Sequence, residues 1–279
     1  MRVHRSEDDL LFIDAGGTRF AALAWGDGPL VLLLHGFPDT ARTWDRIGPE
    51  LAHAGYRVVA PFLRGYAPTA IPDVDTTTRR LAEDVLALVD ALGGGRARIV
   101  GHDWGAEAVY AAADLAPDRI ERLAAIAIPH RATVRFTPAL LWAARHFATL
   151  RLPGAARRFA ADDYAMVDVL CRRWSPTWQF TAEDLEPVKN AFAAPGCLDA
   201  ALGYYRAVDA RTPDFMRATN AVPTLVVAGA DDPAVTTEMF ERGRAHFTGR
   251  YEVTSIPGGH FCHREAPDAL VRALVPFLA

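Results

Sequence analysis

Hydrophobic residues along this chain fall into two recurring patterns, short continuous runs and runs spaced three or four positions apart. Leu30 to Leu34 is an unbroken apolar stretch bounded by glycines, as expected for a strand buried on both faces. Arg57 to Ala60, Arg96 to Val100, Leu123 to Ile128, Pro223 to Ala228 and Tyr251 to Ser255 read the same way. Leu10 to Ile13 and Arg19 to Trp25 read as two earlier strands around the Gly16-Gly17 turn. Between them lie helical patterns. Leu81, Val85, Leu88, Val89 and Leu92 share one helix face that stops at Gly93-Gly94-Gly95. Further helices are predicted from about Trp44 to Ala54, Ala106 to Leu115 and Ala266 to Phe277. Strand and helix in alternation predict an α/β fold built on a mostly parallel, doubly wound sheet.

The rhythm stops between about Pro129 and Pro213. That stretch holds helical patterns, clustered arginines and aromatics from Phe136 to Tyr164, with no convincing strand. The organisation expected is a core from 1–130, an α-helical cap from 131–213, and the rest of the core from 214–279.

Composition narrows the function classes. The chain has 279 residues, 51% of them hydrophobic and 23% charged, the balance of an ordinary soluble globular protein. A net charge of −4 predicts no general attraction to nucleic acid or to acidic membranes. Cys171, Cys197 and Cys262 are odd in number and lack metal-ligand spacing, so neither a disulfide framework nor a metal site is expected. Met1 to Asp14 has no long apolar core of a signal peptide, and no apolar run approaches membrane-spanning length. A cytoplasmic protein without cofactor is the expectation.

Arg96 to Val100 runs into Gly101-His102-Asp103-Trp104-Gly105 and then into an alanine-rich helix. A strand, a small-x-nucleophile-x-small turn and a helix make a nucleophile elbow, here with aspartate where lipases and esterases carry serine. The exchange decides the chemistry. Serine attacking a saturated carbon would leave an ether that water does not cleave. Aspartate leaves an ester, whose carbonyl carbon stays open to water. Asp103 therefore points to substrates attacked at an alkyl carbon, such as epoxides or alkyl halides.

Three more motifs belong with it. His35-Gly36-Phe37-Pro38 follows the apolar strand, and the amides of Phe37 and Trp104 are candidates for an oxyanion hole. Gly229-Ala230-Asp231-Asp232 follows a strand, and the Gly-x-x-Asp spacing favours Asp232 over Asp231 as the orienting acid. Gly258-Gly259-His260 follows the last strand and supplies a general base, with His263 as the competitor. Each alone has a bland reading: a Gly-Pro turn, a solvated acid, a surface histidine. Their chain order, nucleophile then acid then histidine, is that of the α/β-hydrolase triad.

With these residues and Trp44 and Arg64-Gly65-Tyr66, the whole sequence resembles the α/β-hydrolase superfamily and, within it, the epoxide hydrolases. The resemblance implies a covalent Asp103 alkyl-enzyme ester, hydrolysed by water that His260 activates with Asp232 behind it. It maps the ring-opening tyrosine onto Tyr205 in Leu202-Gly203-Tyr204-Tyr205-Arg206, leaving Tyr204 to packing. Most epoxide hydrolases carry a second lid tyrosine six residues before the equivalent of Leu152-Pro153-Gly154; here that position is His146, as in a His/Tyr minority, and His146 becomes the second donor. Phe37, Trp104 and the lid aromatics imply an apolar pocket for an uncharged hydrophobic epoxide.

A haloalkane or haloacid dehalogenase would use the same nucleophile. Haloacetate dehalogenases place arginines where this chain has Trp104 and Glu107, and haloalkane dehalogenases typically have asparagine in place of Phe37. A non-catalytic small-molecule receptor on the same fold would have no need of Asp103, Asp232 and His260 together. The expected partners are a small hydrophobic epoxide and water, with neither nucleic acid nor membrane. The cap could support a homodimer, although no residue pattern demonstrates one.

Overall fold

A computed structural model of the chain describes residues 3–5, 10–71, 75–135, 137–208 and 211–279; Phe136 lies outside the described residues. Strands β1 (Val3–Arg5), β2 (Leu11–Ala15), β3 (Thr18–Trp25), β4 (Leu30–Leu34), β5 (Arg57–Pro61), β6 (Ala97–His102), β7 (Ile120–Ile126), β8 (Thr224–Gly229) and β9 (Tyr251–Ile256) form one sheet. Their order across it is β1-β2-β3-β5-β4-β6-β7-β8-β9. The first three pairings are antiparallel and all those from β5–β4 to β8–β9 are parallel. β4 and β8 are buried at every position, which is why they read as continuous apolar runs. The short β1 gave no signal in the pattern.

On the core, α1 (Gly48–His53), α2 (Thr78–Ala91), α3 (Trp104–Leu115), α10 (Thr237–Glu241), α11 (Cys262–Glu265) and α12 (Pro267–Leu278) pack against the sheet or link its strands. Helix α2 starts where the Thr77 hydroxyl accepts the Arg80 amide (3.3 Å), and it buries Leu81, Val85, Leu88 and Val89 as its spacing predicted. The helix predicted from Trp44 to Ala54 is broken. Ala41–Trp44 forms a tight 3₁₀ turn, and α1 begins only at Gly48. Pro49 explains the break, since proline has no amide to donate and is tolerated in a first turn but not inside a helix.

Between β7 and β8 the chain is helical: α4 (Pro138–Ala143), α5 (His146–Arg151), α6 (Ala155–Phe159), α7 (Ala161–Trp174), α8 (Ala182–Ala193) and α9 (Cys197–Ala207). In α8 a capping box sets the start, with the Thr181 amide donating to Asp184 Oδ2 at 2.8 Å. In α7 the first turn is irregular, with Asp162, Asp163 and Tyr164 at positive φ. The insertion is tied to the core through α9. The Tyr204 hydroxyl donates to the Arg64 carbonyl (2.7 Å), and Arg64 holds Asp84 with two hydrogen bonds of 2.6 Å in a pair that is almost fully buried. Tyr204 is thus a packing and anchoring residue, as its helical position implied. Among the described residues no helix is long and apolar enough to cross a membrane.

Candidate active site

β6 ends at His102 and α3 starts at Trp104, so Asp103 alone makes the turn, at φ 52° and ψ −117°. That conformation is strained for a residue with a side chain, and its neighbours must be small for the turn to close. A Cβ on Gly101 would run into the Gly105 carbonyl, and one on Gly105 into the Leu34 carbonyl. The loop after β4 comes equally close, since a Cβ on Gly36 would collide with the Asp103 side chain. This approach delivers the Phe37 amide, which donates to Asp103 Oδ1 at 2.9 Å. Trp104 opens α3, so its amide belongs to a first turn that has no acceptor within the helix. Of the two backbone donors expected of an oxyanion hole, the Phe37 amide meets the Asp103 carboxylate, and the Trp104 amide follows Asp103 directly in the chain.

The other two strand ends converge on the same carboxylate. His260 Nε2 lies 3.4 Å from Asp103 Oδ2, and its Nδ1 lies 3.5 Å from Asp232 Oδ2. These are ion-pair separations, looser than tight hydrogen bonds, and catalytic contacts often shorten only around substrate. Asp232 is fixed through Oδ1, which accepts the Ala234 and Val235 amides at 2.8 and 2.9 Å. Asp231 instead turns outward and accepts the Gly258 amide. His263 is buried against Thr43, whose hydroxyl is 2.6 Å from its Nε2. Asp232 and His260 are the pair that meets Asp103.

The charges are coupled. Burial alone would raise the Asp103 carboxyl, but His260, with help from the Phe37 amide, outweighs it and holds the group below its ordinary value. Burial alone would lower the His260 imidazole, but Asp103 and Asp232 push it up to about 9. The resting site holds a carboxylate nucleophile beside an imidazolium.

Aromatic side chains from the insertion form the opposite wall. The Tyr205 ring stands edge-on to Phe37 and to Trp104, each with centroids 5.2 Å apart, and Phe147 packs on it at 4.9 Å. Burial, then the Asp103 charge, keeps the Tyr205 phenol well above its usual range, although contact with the Trp104 indole opposes this. His146 begins α5 with its ring centroid 5.7 Å from that of Tyr205. Its Nδ1 lies 3.2 Å from the Ala143 carbonyl, and burial depresses its pKa to about 4. A nitrogen facing a carbonyl carries the proton, so the neutral ring presents Nε2 as an acceptor.

Four residues of the site carried no sequence signal. Trp174 stands between His146 and His260, with centroids 4.8 and 5.4 Å away. Its carbonyl accepts the His260 amide (2.9 Å), and Ser175 Oγ accepts the Phe261 amide (2.7 Å). From the other side His102 Nε2 donates to the His260 carbonyl (2.9 Å). The backbone of the histidine is thus gripped at both its N–H and its C=O. Asp39 is the fourth, fully buried, with one oxygen accepting the Thr40 amide and the other lacking a partner among the described residues. Burial raises its pKa, which Arg264 opposes. His102 lies within the elbow motif but at a position the motif leaves open, and Trp174, Ser175 and His102 act through contacts 86 or more residues away in sequence.

Glu107 is buried, accepting from Thr78 Oγ1 and from Arg131, both at 3.1 Å. Its charge is compensated there rather than presented to a substrate, so the case against a haloacid rests on Trp104. Among the described residues, the side chains of metal-ligand type that meet are Asp114, His130 and His246. Asp114 lies at the far end of α3 from Asp103, about 16 Å away along a straight helix. His130 Nδ1 accepts the Ala132 amide and its Nε2 bonds Asp114 at 2.7 Å, while Asn220 donates to the second Asp114 oxygen. These are the contacts of a buried hydrogen-bond network, with His130 already used at both nitrogens.

Comparison with known proteins agrees with this geometry. The family model described as the alpha/beta hydrolase fold matches residues 29–267. Epoxide hydrolase A of Mycobacterium tuberculosis is 30% identical, over 95% of this chain and 96% of that protein. The AB hydrolase superfamily protein YfhM of Bacillus subtilis is also 30% identical, over 96% of each. The crystal structure of Epoxide Hydrolase A from Mycobacterium thermoresistibile superposes with a TM-score of 0.80 at 27% identity, covering 96% of this chain and 97% of that one. The chain belongs to the α/β-hydrolase fold family and, within it, to the epoxide hydrolases.

Proposed function

We propose that this protein hydrolyses a hydrophobic epoxide to a vicinal diol through an ester on Asp103. The observation that carries the reading is an elbow aspartate that accepts the Phe37 amide and meets His260, facing a buried, protonated tyrosine. Residues 131–213 act as the cap that supplies this tyrosine, over core segments 1–130 and 214–279.

In the first step Asp103 Oδ2 forms a bond to a ring carbon, and the carbon–oxygen bond of the ring breaks. The departing oxygen keeps the electron pair and takes the Tyr205 proton. A donor is required because this leaving group stays attached as an alkoxide, and a positioned acid contributes about 10²–10⁴-fold. At neutral pH Tyr205 is that donor. His146, expected to be the second, gives its own proton to Ala143 and donates from Nε2 only as the imidazolium.

Forming the ester removes the negative charge of Asp103. That charge is one of the two holding the proton on His260, so alkylation lowers the imidazole pKa, the imidazolium gives its proton to solvent, and a general base is available when it is needed. Water then gives His260 a proton and attacks the ester carbonyl carbon. The charge on Oδ1 is met by the Phe37 and Trp104 amides, each such donor being worth about 3–4 kcal/mol. Collapse breaks the bond from the carbonyl carbon to Oδ2, which leaves in the diol. His260 and the new carboxylic acid return the two protons that the diol and Tyr205 require, and His260, again between two carboxylates, takes back from solvent the proton it gave up. Neither step calls on a cofactor. All three cysteines are free and buried, which fits a reducing cytoplasm.

The test is a single turnover of a styrene-type epoxide in heavy-oxygen water. The Asp103-containing peptide should gain the heavy oxygen while first-turnover diol does not. Label passing straight into diol would remove Asp103 as nucleophile, and halide release without any diol would move the chain to dehalogenation.

A further inference from the structure

The large hydrophobic side chains left exposed among the described residues are Leu141, Trp142, Leu152, Met166 and Val169. All five lie in α4, α7 and the turn after α5. Trp142 is 70% exposed, an unusual position for the largest apolar side chain. The same part of the chain concentrates charge. Residues 131–175 hold eight arginines against three aspartates, an excess of five positive charges in a chain whose net charge is −4. One of those aspartates, Asp168, is paired with Lys189 at 2.8 Å.

Arg131 is held by Glu107 at 3.1 Å, but most of the other arginines are interleaved with the apolar residues rather than neutralised. Arg145 lies over the Trp142 ring at 4.5 Å, Arg151 donates to the Val208 carbonyl, and Arg158 donates to the Pro153 carbonyl beside Leu152. Arg172 follows Val169 on α7 and lies over Phe180. Among the described residues, none of Arg145, Arg151, Arg157, Arg158, Arg172 and Arg173 has a carboxylate within 4 Å. Residual positive charge thus accompanies exposed apolar side chains along the stretch from α4 to α7.

We propose that this face of the insertion docks on an anionic phospholipid surface. Such a surface supplies both halves of the complement: phosphates for the guanidinium groups, and a headgroup boundary that takes up tryptophan and leucine. A second copy of the chain does not. A symmetric dimer through this face would bring two uncompensated arginine clusters together. The whole-chain charge predicted no attraction to acidic membranes because it averages this segment with the acidic remainder. Docked in this way, α5 and its His146 lie next to the phase in which a hydrophobic epoxide dissolves. That consequence rests on the proposed function; the docking does not.

The experiment is sedimentation of the full chain with phosphatidylglycerol/phosphatidylcholine vesicles and with phosphatidylcholine alone. Light scattering in solution and thermal melting accompany it. Binding should require the anionic lipid and weaken steeply with salt. A Trp142→Ser, Arg157→Ser, Arg158→Ser variant should melt like the parent, turn over a soluble epoxide at the parent rate and bind vesicles about 100-fold more weakly. Equal binding to both vesicle types, no binding at low salt, or a stable dimer dispersed by the triple substitution would each overturn the proposal. Because the readout is vesicle binding, an inactive protein would sink the hydrolase reading and leave this one standing.

Discussion

The floor and the roof of the site are built by opposite means. On the floor, Asp103 and His260 carry opposite charges with Asp232 behind them, and every one is held through main-chain hydrogen bonds. Asp103 has the Phe37 amide, Asp232 the Ala234 and Val235 amides, and His260 the Trp174 carbonyl and the His102 ring. On the roof, Tyr205 and His146 are neutral, and they are placed mainly by ring contacts on short helices. The difference follows from what each side handles. Charges in a low-dielectric site need fixed dipoles around them, whereas a neutral proton donor needs only burial and direction. The roof can therefore leave apolar surface outside and sit on separate helices without disturbing the charge relay beneath it.

The largest effect expected separates the two roof residues. Tyr205→Phe should lower epoxide turnover by about 10²–10⁴-fold, the range of a positioned general acid. His146→Gln should cost less than about tenfold at neutral pH, since the neutral ring has no proton to offer from Nε2. Steady-state kinetics on one epoxide decides; equal losses would put both donors back on the same footing.

Next comes the coupling within the floor. Asp103→Asn mimics the ester by removing the charge, and the His260 pKa should fall from about 9 by about 1–3 units, readable by NMR of the imidazole. The same raised pKa sets a stability dependence. The pair contributes fully below the unfolded histidine value of 6.5, and its contribution fades as pH rises through about 9. An unchanged His260 titration in the variant would contradict the charge-release step.

The smallest effect tests the link between roof and floor. Ser175→Ala leaves the Phe261 amide buried without its acceptor, which should cost about 1–3 kcal/mol of stability. Turnover should drop through kcat rather than KM, because the misplaced group is the His260 base. Melting curves with kinetics would show whether the insertion positions the histidine or merely covers it.

Much of the floor was legible because its pieces obey local rules. The glycines flanking Asp103 are required by an elbow that packs carbonyls against them, and that requirement is written within five residues. The runs of β4 and β8 were legible because both faces are buried. Pro49 was visible too, yet the apolar spacing around it suggested one helix where the chain makes two pieces. In the roof, Tyr205 came from a resemblance, and its burial against Phe37 and Trp104 follows only from how α9 lies over the sheet.

The sequence by itself determined the strand–helix alternation, the small-x-Asp-x-small turn and the order of acid and base along the chain. These depend on contacts between near neighbours and on patterns of period two or three to four. The Gly-x-x-Asp spacing also favours Asp232 over Asp231, but only the tertiary structure decided that Trp174 and His102 grip His260 from opposite sides, and that His146 turns its proton toward Ala143. The grip on His260 joins residues up to 158 apart, and the direction of the His146 ring, although its carbonyl partner is three residues away, is set by the aromatic side chains packed around it, so no local pattern encodes either.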